Sequence, residues 1–124
     1  MITGAEPQLF VTDIAAACEF YARRLGFEVV FVYGEPPFYA QVAREAARLN
    51  LRHVDKPPIS AAQRAEDELL TATITLDDAR PLYDEYRAAG IDFPQPLRTE
   101  PWGARTFSVR DLDGNLILFA GRGD

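Results

Sequence analysis

The stretch "WGARTFSVRDLDGNLILF", residues 102–119, decides the fold. Residues 104–110 and 115–120 are rich in β-branched, aromatic and aliphatic side chains, the composition of paired strands. The "DLDG" between them carries Asp113–Gly114, a tight-hairpin signal. Trp102 stands at the entrance of the hairpin, and Gly103 beside it permits a close backbone approach.

Upstream of this hairpin lies "TLDDARPLYDEYRAAGIDF", residues 75–93, and it has a counterpart in "VTDIAAACEFYARRLGFEV", residues 11–29. Asp77 precedes Gly90 by 13 positions, and Asp13 precedes Gly26 by the same 13. In the first segment Ile14, Ala17, Cys18, Tyr21 and Leu25 recur at helical spacing and form one apolar stripe. Asp13 can cap the helix and Gly26 can close it. In the second, Asp77 or Asp78 caps, Pro81 falls in the tolerant first turn, and Leu82, Tyr86 and Ala89 form the stripe before Gly90. Strands are expected at 27–33, 38–43 and 48–54, broken by "GEPP" and "REAAR". In the second half they are expected at 91–93, then, after a proline-rich loop, at 104–110 and 115–120. A short β-type run precedes each helix, so each half reads βαβββ. The polar, proline-bearing segment "DKPPISAAQRAEDEL", residues 55–69, reads as the joint between them. The expected boundaries are module one at about 5–55, linker 56–69 and module two at about 70–121.

A chain of 124 residues with 48% hydrophobic residues is long enough for one core and is expected to be a single domain. No apolar run approaches the ~20 residues of a membrane span, and the N-terminal segment lacks an export pattern. The net charge of −6 argues against nucleic-acid binding and favours solubility, or attraction of cationic ligands. The single cysteine, Cys18, sits on the apolar helical stripe, which predicts core packing, an inert thiol and a cytoplasmic protein. No phosphate-binding glycine loop is present, and no nucleophile lies beside a base. The terminal "GRGD" reads as a frayed tail.

Together "LFVTDIAAACEFYARRLGFEV", "DARPLYDEYRAAGI" and "PWGARTFSVRDLDGNLILF" resemble the vicinal oxygen chelate superfamily, which includes glyoxalase I, extradiol dioxygenases and bleomycin-resistance proteins. The resemblance covers nearly the whole chain. It implies an α+β fold in which two βαβββ modules form a cup-shaped mixed sheet, within a homodimer that sometimes exchanges modules between chains. It is weaker on function, because one scaffold hosts metal enzymes and metal-free binders.

The metal enzymes of that superfamily hold a divalent ion with His, Gln or Glu side chains from the first and last strands of each module. Carried onto this chain, those positions fall on Glu6, near Asn50, on Leu70 or Thr71, and on Leu118. Only Glu6 is a strong donor, and a leucine has no lone pair to offer. His53 lies three residues beyond Asn50, so strand alternation puts it on the opposite face, at a strand end or interface. The expectation is therefore no metal, no cofactor and no catalytic residue.

What remains is an aromatic cleft. Phe31, Tyr33, Phe38 and Tyr39 surround one hairpin, and Trp102 and Phe107 belong to another. Bleomycin-resistance proteins sequester a flat cationic compound at the interface of an acidic dimer, and this chain is similar in length, acidity and its "WG". The expected ligand-binding set is Tyr33, Phe38, Asn50, Arg52, Trp102, Gly103 and Phe107. Arg44, Arg48, Arg52 and Arg105 depart from an acidic cleft and would favour anionic ligands; parity puts Arg44 and Arg52 on one face. The resulting expectation is a metal-independent binder that sequesters a planar, cationic small molecule as a homodimer, with neither nucleic acid nor membrane as partner. The alternative is a glyoxalase-like lyase or dioxygenase with a divalent metal in an atypical site.

Overall fold

The computed structural model of the chain describes residues 1–122. They divide into two compact units, residues 1–58 and residues from Ile59 onward. Each contains a βαβββ module with its own four-stranded mixed sheet, so the expected α+β class is what the chain adopts.

The first unit runs β1 (Gln8–Val11), α1 (Ile14–Arg23), β2 (Glu28–Tyr33), β3 (Tyr39–Arg44) and β4 (Ala47–His53), with sheet order β1-β4-β3-β2. β1 pairs parallel with β4, and the other pairs are antiparallel. The Asp13 carboxylate accepts the Ala16 N–H at 3.0 Å and starts α1. The expected stripe of Ile14, Ala17, Cys18, Tyr21 and Leu25 is buried throughout. It packs on the sheet face that carries Leu9, Val11, Ala40, Val42, Leu49 and Leu51, all buried at alternate strand positions. Each large apolar side chain so enclosed contributes about 1.5–3 kcal/mol.

The second unit runs α2 (Ala61–Asp67), β5 (Leu70–Thr75), α3 (Ala79–Ala88), β6 (Gln95–Thr99), β7 (Arg105–Arg110) and β8 (Leu116–Gly121), in sheet order β5-β8-β7-β6. Of the two candidate caps, Asp78 is the one used: its carboxylate accepts the Arg80 N–H, while that of Asp77 accepts the Asp78 N–H. Phe107 stacks on Phe119 with ring centroids 4.9 Å apart, and Tyr83, Tyr86 and Phe93 close around them.

Four expectations are corrected. Residues 91–93 form no strand; the strand is β6, within the segment read as a proline-rich loop. Pro96 is tolerated there because β6 is an edge strand with an irregular register against β7. Residues 56–69 are not a bare linker. They contain α2, capped by Ser60 through the Gln63 N–H and closed by Glu68 in the left-handed region. The helix has little apolar stripe for a sequence pattern to reveal. It docks through Ala61 against Gly114, where a Cβ would stand 2.5 Å from that of Ala61, and through the buried Arg64. The last hairpin turns over five residues, 111–115, since Arg110 faces Leu116. Finally, Ala89 is exposed and Ala79 is buried in its place, two turns before Tyr86 on the packed side of α3.

Gly121 of the terminal "GRGD" closes β8 and lies buried against Ala79, whereas residues 123 and 124 are outside the described part. None of the described helices is long and apolar enough to cross a membrane.

Candidate ligand-binding site

In both units the helix covers one face of the sheet, so alternation dictates what the other face displays. In the first unit that open face carries Gln41 of β3 and Arg48, Asn50 and Arg52 of β4. Gln41 Nε2 donates to Asn50 Oδ1 at 2.9 Å and to Glu6 Oε1 at 3.2 Å, and Asn50 Nδ2 donates to the same Glu6 oxygen at 3.3 Å. Arg48 donates to Gln41 Oε1 at 3.0 Å. Glu6, Arg48 and Asn50 also border a polar hollow of about 500 Å³. The sequence placed Glu6 and Asn50 at related positions and missed Gln41. The signal was available, because a hairpin of strands 38–43 and 48–54 sets Gln41 opposite Asn50.

In the second unit the open face carries Thr106, Ser108 and Arg110 of β7 with Leu116 and Leu118 of β8. With α2 and β6 they line a hollow of about 390 Å³ that also touches Leu70, Gln95, Glu100 and Trp102. Glu100 is buried and is held by Arg98 Nε at 2.6 Å and Thr106 Oγ1 at 2.8 Å. The Arg98 hydrogen bond, followed by that from Thr106, holds the Glu100 carboxyl below its ordinary range. Gln95 Nε2 donates to Thr106 Oγ1 at 2.8 Å, which leaves the threonine proton for Glu100. Gln95, Arg98 and Glu100 were missed because their segment reads as a loop.

The expected site residues fall into distinct groups. Tyr33 and Phe38 meet edge to face at 5.6 Å, and both are exposed beside the unpaired edge of β2. Asn50 joins the Glu6–Gln41 network, and the exposed Arg52 donates to the His53 carbonyl at 3.2 Å. Trp102 is 76% exposed and, apart from the hollow above, lines a second one of about 780 Å³ together with Gly103. Gly103 adopts φ +97°, a backbone that other residues resist. Phe107 is corrected. It has no exposed surface, because it points to the α3 side of the sheet and is consumed by the aromatic core.

The arginine parity is corrected as well. Arg44 alternates with Val42 on the helix side and donates to the Leu25 carbonyl at 2.9 Å, whereas Arg52 shares the open face with Asn50. Arg105 alternates with Phe107, away from the open face. His53 faces away from Asn50, and its Nε2 stands 3.1 Å from Asp55 Oδ1. Cys18 is buried, and burial pushes its thiol pKa up, away from the reactive thiolate.

The residues do not fit a divalent ion of the kind the metal enzymes hold. Asn50 and Gln8 are paired across strands as Leu118 and Thr73 are, so Leu118 corresponds to Asn50, and Thr71 to Glu6. Thr71 is occupied by the Arg64 guanidinium at 2.8 Å, and Leu118 offers no donor. In the first unit Arg48 places a positive charge against the Gln41 oxygen. No group of three or more His, Cys, Asp or Glu residues that could hold a metal occurs among the described residues.

Comparison with known proteins places these features in a family. Residues 5–119 match the model of the Glyoxalase/Bleomycin resistance protein/Dioxygenase superfamily. The chain belongs to that superfamily. Bleomycin resistance proteins of Geobacillus stearothermophilus and of Staphylococcus aureus are each 30% identical to it, over 91% of this chain and 92% of theirs. Among solved structures, the bleomycin-binding protein of bleomycin-producing Streptomyces verticillus, complexed with copper(II)-bleomycin, is 28% identical with a TM-score of 0.73, covering 100% of this chain and 98% of that one. The bleomycin resistance determinant encoded on transposon Tn5 shares the fold at a TM-score of 0.79 and 20% identity, covering 98% of each chain.

Proposed function

We propose that this chain is a small-molecule binding protein of the bleomycin-resistance type, which sequesters a planar compound without a metal and without chemistry. The observation that carries this reading is the pairing of Trp102, largely exposed at the wall of two hollows, with Leu118 where the family's metal enzymes hold a carboxylate. A flat ring or cation laid on that indole gains about 0.5–2 kcal/mol in a desolvated site. Tyr33 and Phe38 supply a second exposed aromatic pair. The net charge of −6 supports long-range attraction of a cationic compound, an attraction that salt weakens.

The working form in this reading is a cytoplasmic homodimer whose two units act together as one domain. Support for a second copy comes from β2, an edge strand whose six residues are all exposed and mostly apolar. Isothermal titration with bleomycin-class and other planar cationic compounds tests the reading, with Trp102 quenching expected in parallel. Absence of binding at high micromolar concentration removes it.

The one other reading is a glyoxalase-like lyase or dioxygenase with a divalent metal in an atypical site, which would have to draw its oxygen donors from Glu6, Gln41 and Asn50 against the charge of Arg48. Stoichiometric Zn, Ni, Mn or Fe in protein purified without chelators would establish that reading instead.

A further inference from the structure

The hollow of the second unit has four charged side chains on its wall: Glu68, Arg98, Glu100 and Arg110. Arg98 and Glu100 neutralise one another at 2.6 Å. Arg64, buried on α2 nearby, is engaged by Thr71. Glu68, which ends α2, is exposed, and no ion pair joins it to Arg110.

Arg110 is different. Its side chain is half-buried and follows Thr106 and Ser108 onto the open face. Across the strand it faces Leu116, with Leu70 and Leu118 on the same wall. Among the described residues its guanidinium has neither an ion pair nor a hydrogen bond. A cation drawn partly out of water beside leucines loses hydration that none of the described residues replaces. A guanidinium in that position presents a planar fork of donors, the geometry that takes up a carboxylate, sulfonate or phosphate through two parallel hydrogen bonds.

We propose that Arg110 anchors an anionic group of the bound compound, so that the ligand is an aromatic or otherwise flat molecule bearing an acid function, its ring against Leu118 and Trp102. This rests on the ligand-binding reading of the hollow and adds to it the chemical class of the ligand. The net negative charge of the chain acts on approach, over about a Debye length. The Arg110 contact acts at short range, and a compound bearing both a cationic and an acidic group satisfies both.

Calorimetric titration of the full chain with two probes of the same ring and opposite charge, 2-naphthoate and 2-naphthylmethylammonium, tests the assignment. The naphthoate is expected to bind about tenfold more tightly, the scale of a charge-assisted pair in a half-buried site. Arg110→Gln should erase that preference, and Arg110→Lys should keep part of it. Arg87→Gln, the same charge change on an exposed α3 residue, should leave it intact. Tighter binding of the ammonium, or a preference that survives in Arg110→Gln, overturns the proposal. So does binding of bleomycin-class compounds with Trp102 quenching while neither naphthalene probe binds, and then the sequestration reading stands alone. If no compound of either kind binds, the sequestration reading fails and this inference fails with it.

Discussion

The two open sheet faces share one plan and differ in chemistry. At corresponding positions the first unit has Glu6, Gln41 and Asn50, where the second has Thr71, Ser108 and Leu118. The first face closes on itself through hydrogen bonds among its own side chains. The second commits Thr106 to Glu100, Ser108 to the Gln95 N–H and Thr71 to Arg64, and leaves leucines, Arg110 and an exposed indole toward the hollow. The covered faces are alike instead: an acid-capped helix of ten residues over alternating apolar strand positions. Core packing holds the covered side to one pattern in both modules, and that constraint does not extend to the open side, where function can diverge.

The sharpest way to break this comparison is to carve the covered face. Phe107 has no exposure and sits among four other rings. Phe107→Ala is expected to lower unfolding free energy by about 3–5 kcal/mol in urea titrations. Ser108→Ala, its neighbour on the open face, should lose far less. Equal losses would mean that the two faces are not divided as described.

A second contrast lies in the hairpin turns. The β3–β4 turn is two residues, Glu45 and Ala46, with Glu45 forced to φ +52°. The β7–β8 turn is longer and hangs on one buried carboxylate. Asp111 Oδ1 accepts the N–H groups of Asp113 and Asn115, and Oδ2 accepts Asn115 Nδ2, each at 2.9 Å. Asp111→Ala strands these donors and should cost about 2–3 kcal/mol in the same titration. Asp111→Asn, which keeps an acceptor oxygen, should recover part of that.

These same contrasts explain what the sequence could disclose. Asp13, the stripe from Ile14 to Leu25, and the βαβββ repeat were legible because caps and apolar periodicity are local signals read directly from residue spacing. α2 was hidden because its docking depends on a glycine 53 positions away from Ala61, a tertiary contact with no local trace. β6 was hidden because Pro94 and Pro96 signal a loop, and only its edge position in the sheet permits a strand. Leu118 and Trp102 were legible as candidate positions through the family resemblance, and both line the hollow of the second unit. Phe107 was misassigned because an aromatic on a strand does not declare its face until the register is fixed.

The smallest expected effect concerns pH and separates the two faces by their carboxylates. Glu100, on the second face, is buried and has its pKa lowered by Arg98 and Thr106. A carboxyl lowered in the folded state releases its proton more readily there than in the unfolded chain. Its contribution is therefore complete above the ordinary value of 4.5 and fades as pH falls through the lowered folded value. Replacing Glu100 by Gln removes that titration but keeps an acceptor for Arg98 and Thr106. Denaturant midpoints measured from pH 7 downward should decline less steeply in the variant than in the parent once pH passes below about 4.5. Parallel curves through that interval would mean that Glu100 is not preferentially ionised in the fold, and the charge balance assigned to the hollow would have to be redrawn.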